Sequence, residues 1–273
     1  MSEIVLTAGV RSNLLQLQKT ADLITSTQTK LATGKKVNTA LDNPINFFTA
    51  AGLTNRASDL GNLLDAMANG MNTIQAANNG ITSLTKLVQS AQALTSQAQQ
   101  TTDVTVRANL ATQFNAIRGQ IDQLAADSGF NGINLLNSTA SANLVLTLNE
   151  TGTSTVTVNA VDFSATGLAL NTAANNWATI TDITAASADL SVALTKLRSH
   201  AQALGSNLST VQIRQEFTKA MINTLQTGAD ALTLADSNEE GANLLALQTR
   251  QQLSTTALSL ASQASQAVLR LFQ

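Results

Sequence analysis

The stretch LSVALTKLRSHAQALGSNLSTVQIRQEFTKAMINTLQTGADAL, residues 190–232, decides the fold, because its apolar residues recur every seven positions. Alternating steps of four and three residues from Leu190 reach mostly apolar side chains, and only Gln215 and Thr218 interrupt the series. A repeat of this kind keeps one seam of a helix against a partner helix and is typical of a left-handed coiled coil. We predict a rod on the order of 65 Å long. Its predicted seam comprises Leu190, Leu194, Leu197, Leu204, Leu208, Val211, Ile222, Leu225 and Leu232.

Weaker seven-residue patterns occupy both ends of the chain. We expect the first and last helices to pair with each other, and their remaining apolar faces to seek further partners, as in a self-assembling rod. The predicted polymerisation and helix-packing residues are Val10, Leu14, Leu17, Ile24 and Leu31 near the amino end, and Leu253, Ala257, Leu260, Ala264 and Leu271 near the carboxyl end.

Glycine, proline and short polar runs divide these helical stretches. Gly34 is a natural end for the first helix. In Asp42-Asn43-Pro44 the polar side chains can cap a helix whose first turn holds Pro44, and this helix should run into the 90s with a joint near residues 59–62. Thr101-Thr102-Asp103 offers another helix start, and residues 235–241 separate the long rod from the final helix.

The middle of the chain has a different pattern. Apolar residues alternate over 144–149 and again over 153–158, and a glycine-containing turn separates the two runs, which predicts a β-hairpin. Residues 162–176 show no regular pattern. The predicted fold is mainly α: a long antiparallel helical bundle or coiled coil from both chain ends, with a small hairpin in the middle. We expect terminal helices at 1–42 and 236–273, a rod at 43–137 and 177–235, and a hairpin region at 138–176.

Composition excludes several classes of function. The net charge is −2 and the pI about 5.3, which gives no electrostatic reason to expect a nucleic-acid partner. Cysteine is absent, so disulfides and thiol chemistry are excluded. No apolar run approaches about 20 residues, and we expect neither membrane insertion nor an ordinary signal peptide. Charged residues make up only 12%, which favours extensive helix contacts in an assembly.

The sequence offers no convincing active site. His200 is the only histidine and neighbours the rod seam, where a structural role is far more common than a ligand role. Glu239 and Glu240 lie at a helix start, where carboxylates usually serve the helix dipole. We therefore predict no enzyme activity, no cofactor and no metal site.

Several motifs, taken in order, resemble those of bacterial flagellins. They are Lys30–Asn38 followed by Asp42-Asn43, Asn69–Gln75, Phe130-Asn131-Gly132 with Leu135-Leu136, Ala235-Asp236, and Val268–Phe272. No single motif is diagnostic, but their order and their position at both ends are together specific. The resemblance covers about 1–137 and 190–273, and the small middle is similar to that of short flagellins without added outer domains.

The resemblance implies an extracellular structural subunit that polymerises into the flagellar filament for motility. In flagellins the terminal helices form the inner tube, the adjoining rods form the next layer, and the middle of the chain faces outward. The family is secreted unfolded through the flagellar export apparatus, and its partners include an export chaperone, the filament cap and junction proteins.

The resemblance also bears on immune recognition. Flagellins detected by the innate immune receptor usually carry an arginine and a glutamate, and here the matching positions are Ser90 and Gln113, while Leu94 fits the pattern. We therefore expect this chain to evade that receptor.

Two alternatives stay open on the sequence. The hook–filament junction protein shares both helical ends, and Asp42-Asn43-Pro44 leans towards it. A secreted helical adhesin would be a monomer or small oligomer and would form no filaments.

Overall fold

The computed structural model describes residues 8–138 and 143–271 and is mainly helical, as predicted. The five α-helices described are α1 (Ala8–Thr33), α2 (Pro44–Gln100), α3 (Val104–Asp127), α4 (Ile180–Thr233) and α5 (Ser237–Leu271). Two strands, β1 (Leu144–Thr147) and β2 (Thr155–Val158), and a short 3-10 helix (Ala174–Trp177) lie between α3 and α4. The predicted joint near 59–62 is wrong, because α2 continues through it as one helix.

The helix boundaries follow from local capping chemistry. The Asn43 Oδ1 accepts from the amide of Asn46 at 3.0 Å, directly before Pro44 in the first turn of α2. Asp103 caps α3, since its Oδ1 accepts from the amide of Thr105 at 2.8 Å. Gly34 ends α1 with φ +68°, a left-handed conformation that glycine adopts without a Cβ clash. These three signals were visible in the sequence.

The described residues group into two compact units. One unit takes its residues from Met1–Asn55 and Thr224–Gln273, and the other is Arg56–Asn223. We call them the terminal unit and the central unit. The terminal unit contains α1 and α5, and the central unit contains α3, the hairpin and the 3-10 helix. The chain passes from one unit to the other after Asn55, inside α2, and again after Asn223, inside α4.

The core of the central unit combines residues from α2, α3, α4 and the chain between α3 and α4. Its largest fully buried side chains include Trp177, Phe114 and Phe163. The ring of Trp177 lies 5.1 Å from that of Phe114, so the single tryptophan of the chain packs in this core. The predicted seam residues of α4 are all shielded from solvent to some degree. Those that are buried are Leu190, Leu194, Leu197, Leu204, Val211 and Leu225, and those that are half-buried are Leu208, Ile222 and Leu232.

The β-hairpin packs against a glycine of α2. The antiparallel register pairs Leu144 with Val158 and Leu146 with Val156, as the alternating pattern predicted. Leu146 is buried above Gly70, where an added Cβ would overlap its side chain. A second glycine of α2, Gly80, is in the same situation. A Cβ there would overlap the Ser128 hydroxyl and lie 2.6 Å from a methyl group of Leu136.

Residues 162–173 are irregular, as predicted, yet several of their side chains are buried. Three side chains of α3 supply backbone partners for this segment. The Asp122 Oδ1 accepts from the Ala165 amide at 2.7 Å, the Arg118 Nε donates to the Leu170 carbonyl at 2.8 Å, and the Asn115 Oδ1 accepts from the Ala173 amide at 3.0 Å. Because buried backbone groups need hydrogen-bond partners, these contacts allow an irregular chain to pack in the core.

Candidate self-assembly site

The two terminal helices pair with each other in the terminal unit, as predicted. Lys30, near the end of α1, forms an ion pair at 3.0 Å with Glu240, in the first turn of α5, so the helices run antiparallel. The less exposed positions of α1 recur at heptad spacing: Asn13, Leu17, Thr20, Ile24, Thr27 and Leu31. This face is polar in part. The Thr20 hydroxyl donates a hydrogen bond of 2.8 Å to the Gln16 carbonyl of the same helix.

A second heptad series on α5 is partly shielded from solvent, because it packs beside α1. It comprises Leu244, Leu247, Gln251, Ser254, Leu258 and Ala261, all half-buried. Sequence reasoning missed this series because two of its members are polar. Their spacing of three and four residues was the available signal. The apolar series that drew attention, which contains Leu253 and Leu260, lies on a neighbouring face.

The predicted polymerisation residues therefore divide between two environments. Val10, Leu17, Ile24 and Leu31 are half-buried, whereas Leu14 is 39% exposed. Leu253 is 67% and Leu260 is 62% exposed, and both Ala257 and Ala264 are exposed. The side chain of Leu271 lies outside the described part of the structure, as do residues 1–7 and Phe272.

Large apolar side chains on the outside of α1 and α5 form an unusual surface. Leu15, Leu23 and Leu245 are each more than half exposed, in addition to Leu14, Leu253 and Leu260. Single exposed leucines are common in soluble proteins, but a series along a helix pair marks an interaction surface. By helix geometry the three on α5 share one side of that helix, whereas Leu14, Leu15 and Leu23 are spread around the outer half of α1. We call the six together the outer leucine face.

The segments between α1 and α2 (34–43) and between α4 and α5 (234–236), which we call the two hinges, are joined through their backbones. The second is shorter than the predicted break at 235–241, because α5 already begins at Ser237. The Gly34 carbonyl accepts from the Ala235 amide at 3.0 Å, and the Thr233 carbonyl accepts from the Lys36 amide at 2.7 Å. The Lys36 Nζ also donates to the Ala231 carbonyl at 3.1 Å, which places a cation at the carboxyl end of α4. Both hinges are therefore structured within the terminal unit.

Asp42 orders the first hinge before α2 begins. Its Oδ2 accepts from the amides of Thr39 and Asn38, at 2.8 and 2.9 Å, and from the Thr39 hydroxyl. These backbone hydrogen bonds, first that of Thr39 and then that of Asn38, lower the pKa of the Asp42 carboxyl. Asn43, not Asp42, caps α2.

The residues that the sequence offered as candidates for chemistry pack in the fold, pair with a neighbouring side chain or lie at a helix start. His200 lies with its ring 4.9 Å from that of Phe163, and burial lowers the pKa of its imidazole. Glu239 and Glu240 occupy the first turn of α5, and Glu240 pairs with Lys30. Among the described residues, no group of three His, Cys, Asp or Glu side chains could hold a metal ion, and no helix is long and apolar enough to cross a membrane.

The positions linked to immune recognition lie in the central unit. Ser90 on α2 and Gln113 on α3 are exposed. Leu94 is half-buried against the core.

Comparison with known proteins explains this organisation. A family model described as the bacterial flagellin N-terminal helical region matches residues 7–141, and one for the C-terminal helical region matches residues 180–272. The chain belongs to the bacterial flagellin family. Flagellin FljK of Caulobacter vibrioides is 30% identical over 279 residues, which cover 100% of this chain and 99% of that one. A flagellin of Brucella melitensis is 26% identical over 284 residues, with 100% of both chains covered. A crystal structure of Bacillus cereus flagellin shares 20% identity, with a TM-score of 0.48, over 57% of this chain and 88% of that one.

Family membership settles the general function of the chain. As a flagellin it is a structural subunit of the extracellular flagellar filament, which serves motility, and it is not an enzyme. Flagellins self-polymerise, so the main partner of the chain is another copy of itself. The hook–filament junction protein and the helical adhesin are not favoured.

Proposed function

We propose that the outer leucine face of α1 and α5 is the surface through which this flagellin polymerises. The observation that carries the proposal is the exposure of Leu253 and Leu260, 67% and 62%, on a helix whose other face already packs beside α1. Because each leucine is only 39–67% exposed, burying the remainder against a neighbouring subunit would contribute about 0.6–2 kcal/mol. Repetition of this contact along a filament would make assembly strongly favourable.

The same proposal extends to the arrangement of the chain in the filament. Residues 1–42 and 236–273 would form the inner core, 43–137 and 177–235 the rod layer, and 138–176 the outward-facing hairpin region. The pairing of α1 with α5 in the terminal unit supports the first of these assignments. Residues 1–7, 139–142 and 272–273 lie outside the described part.

The proposed route to the filament follows from family membership. The chain would be held by an export chaperone, secreted unfolded through the flagellar export apparatus and folded beneath the filament cap, and the junction proteins would be further partners. A chain without cysteine suits this route, because refolding outside the cell then requires no disulfide formation.

Seeded assembly of purified monomer tests the proposed surface. We expect Leu260→Asp to prevent elongation of filament fragments in negative-stain microscopy, because a carboxylate would have to be buried without a partner. Ser259→Asp is the matched control, since it adds the same charge at the adjacent exposed position of α5. Far-UV circular dichroism and Trp177 emission should match the parent chain in both variants.

Two results would contradict the assignment of the surface. Normal filaments from Leu260→Asp would show that this leucine is not buried between subunits. Equal loss of assembly in Leu260→Asp and Ser259→Asp would show that any added negative charge on α5 blocks polymerisation. Leu253→Asp should behave like Leu260→Asp if the outer leucine face acts as one surface.

We also propose that the monomer evades the innate immune receptor for flagellin. Ser90 and Gln113 are both exposed and lack the charges of the recognised pattern. A receptor reporter-cell assay should show weak activation by the parent monomer and a clear gain with the combined Ser90→Arg and Gln113→Glu substitutions. Full activation by the parent monomer would refute this proposal.

A further inference from the structure

The chain contains three Asn-Gly steps, and the structure places them in two different environments. Asn69-Gly70 and Asn79-Gly80 lie inside α2, whereas Asn131-Gly132 lies in the turn that follows α3. An Asn-Gly step is chemically unstable in principle, because glycine has no side chain to hinder attack of its own backbone nitrogen on the preceding asparagine amide. The local structure therefore decides which step reacts.

Asn131-Gly132 forms the tip of an exposed two-residue turn. The Phe130 amide donates to the Ile133 carbonyl at 2.8 Å, and the Ile133 amide donates to the Phe130 carbonyl at 3.0 Å. Asn131 has φ +50° and Gly132 has φ +79°, so both central residues are left-handed, as Asn-Gly favours in such turns. Both are exposed, and within the described residues the Gly132 amide has no hydrogen-bond acceptor.

The two helical steps lack these features. In α2 each glycine amide donates to the carbonyl four residues earlier, so the nucleophilic nitrogen is already engaged. Gly70 and Gly80 are also buried, the first beneath Leu146 and the second beneath Leu136. Reaction at either step would require this part of α2 to open, whereas the turn at Asn131 is closed by only two backbone hydrogen bonds.

We propose that Asn131 is a site of spontaneous deamidation in the folded subunit. The Gly132 backbone nitrogen loses its proton to solvent base and forms a bond to the Asn131 Cγ. The bond from Cγ to Nδ2 breaks, and ammonia leaves with a proton from water. Water then opens the resulting succinimide ring at either carbonyl, which gives aspartate or isoaspartate. No oxidation occurs, and solvent water is the only co-reactant.

The modification would change the turn in a defined way. Both products add a negative charge at an exposed position, and isoaspartate also routes the main chain through the former side chain. The adjoining Asn134 holds the end of α3, because its Nδ2 donates to the carbonyls of Ala125 and Ala126, both at 2.8 Å. Deamidation would thus change the charge of the surface next to Asn134 without removing the two hydrogen bonds that Asn134 donates to the end of α3. This inference is independent of the proposed polymerisation surface.

Timed incubation of the full-length monomer at mildly alkaline pH tests the proposal. Peptide mapping by mass spectrometry would follow the conversion of the three Asn-Gly steps in the same sample, and isoaspartyl methyltransferase labelling would detect the isoaspartate. A parallel sample in concentrated urea supplies the reactivity of each step without structure. Asn131→Gln is the control variant, because its longer side chain forms the cyclic intermediate much less readily.

We expect Asn131 to convert several-fold faster than Asn69 and Asn79 in the folded monomer, and the three steps to react at similar rates in urea. In Asn131→Gln the labelling should fall to the level that Asn69 and Asn79 contribute. Equal rates at all three steps in the folded monomer would overturn the proposal, since they would indicate reaction through global unfolding. Retention of the Asn131 amide in the folded monomer, with conversion in urea, would also overturn it, since the turn would then be protective.

Discussion

Replacing Gly80 with alanine should not stabilise the central unit, although the same change stabilises most helices. Alanine in place of glycine inside an exposed helix gains about 1 kcal/mol. At Gly80, however, the new Cβ would overlap the Ser128 hydroxyl and lie 2.6 Å from a methyl group of Leu136, which is fully buried. Forcing a methyl group into a packed site costs about 1–3 kcal/mol. Gly80→Ala should therefore be between neutral and about 2 kcal/mol less stable than the parent.

Gly61→Ala is the matched control, because Gly61 belongs to the same helix and unit and has no atom near its missing Cβ. It should gain about 1 kcal/mol, so the two variants should differ by about 1–3 kcal/mol, the overpacking cost alone. Urea unfolding followed by emission of Trp177, buried in the central unit, measures both. A Gly80→Ala variant as stable as Gly61→Ala would refute the close approach of Ser128 and Leu136 to α2.

Three further predictions concern polar and ionisable side chains. Asp122→Ala should lower the free energy of unfolding by about 1–3 kcal/mol and speed hydrogen exchange of the buried Ala165 amide, and unchanged exchange would contradict this contact. Because burial lowers the pKa of His200, the unfolded chain takes up the proton first, and stability should fall as the pH drops below the ordinary 6.5 towards the folded value. The pH profile of His200→Gln in urea unfolding should be flatter, and an identical profile would count against this cause. A double-mutant cycle of Lys30→Met and Glu240→Gln in thermal melts should give a coupling of about 0–1 kcal/mol, since the pair is partly exposed, and a much larger value would indicate a buried pair.

Much of the helical architecture could be predicted because its causes are local. Pro44, Asn43 and Asp103 act within one helical turn, so the starts of α2 and α3 could be deduced from a few adjacent letters. The hairpin could be predicted from alternation of period two. The predicted joint near residues 59–62 was wrong because a local signal was outweighed by packing. Gly61 weakens a helix by only about 1 kcal/mol, and packing of the flanking residues outweighs that loss.

The candidate site could be predicted only in part. The pairing of first and last helices was correct, but the apolar pattern of α5 singled out Leu253 and Leu260, which are exposed in the subunit. The face beside α1 instead includes Gln251 and Ser254. Apolar spacing reveals that a face requires burial, but it contains no information about whether the partner is the same chain or another copy.

The sequence by itself determined the order of the long helices, the starts of α2 and α3 and the hairpin, because periodicity and capping depend on residues within a few positions of one another. Only the tertiary structure decided how residues 162–173 are ordered. Their backbone groups bond to Asn115, Arg118 and Asp122, some 43 to 58 positions earlier in the chain. It also decided which face of α5 meets α1. Such contacts depend on the path of the whole chain, and their energies cannot be assigned before that path is known.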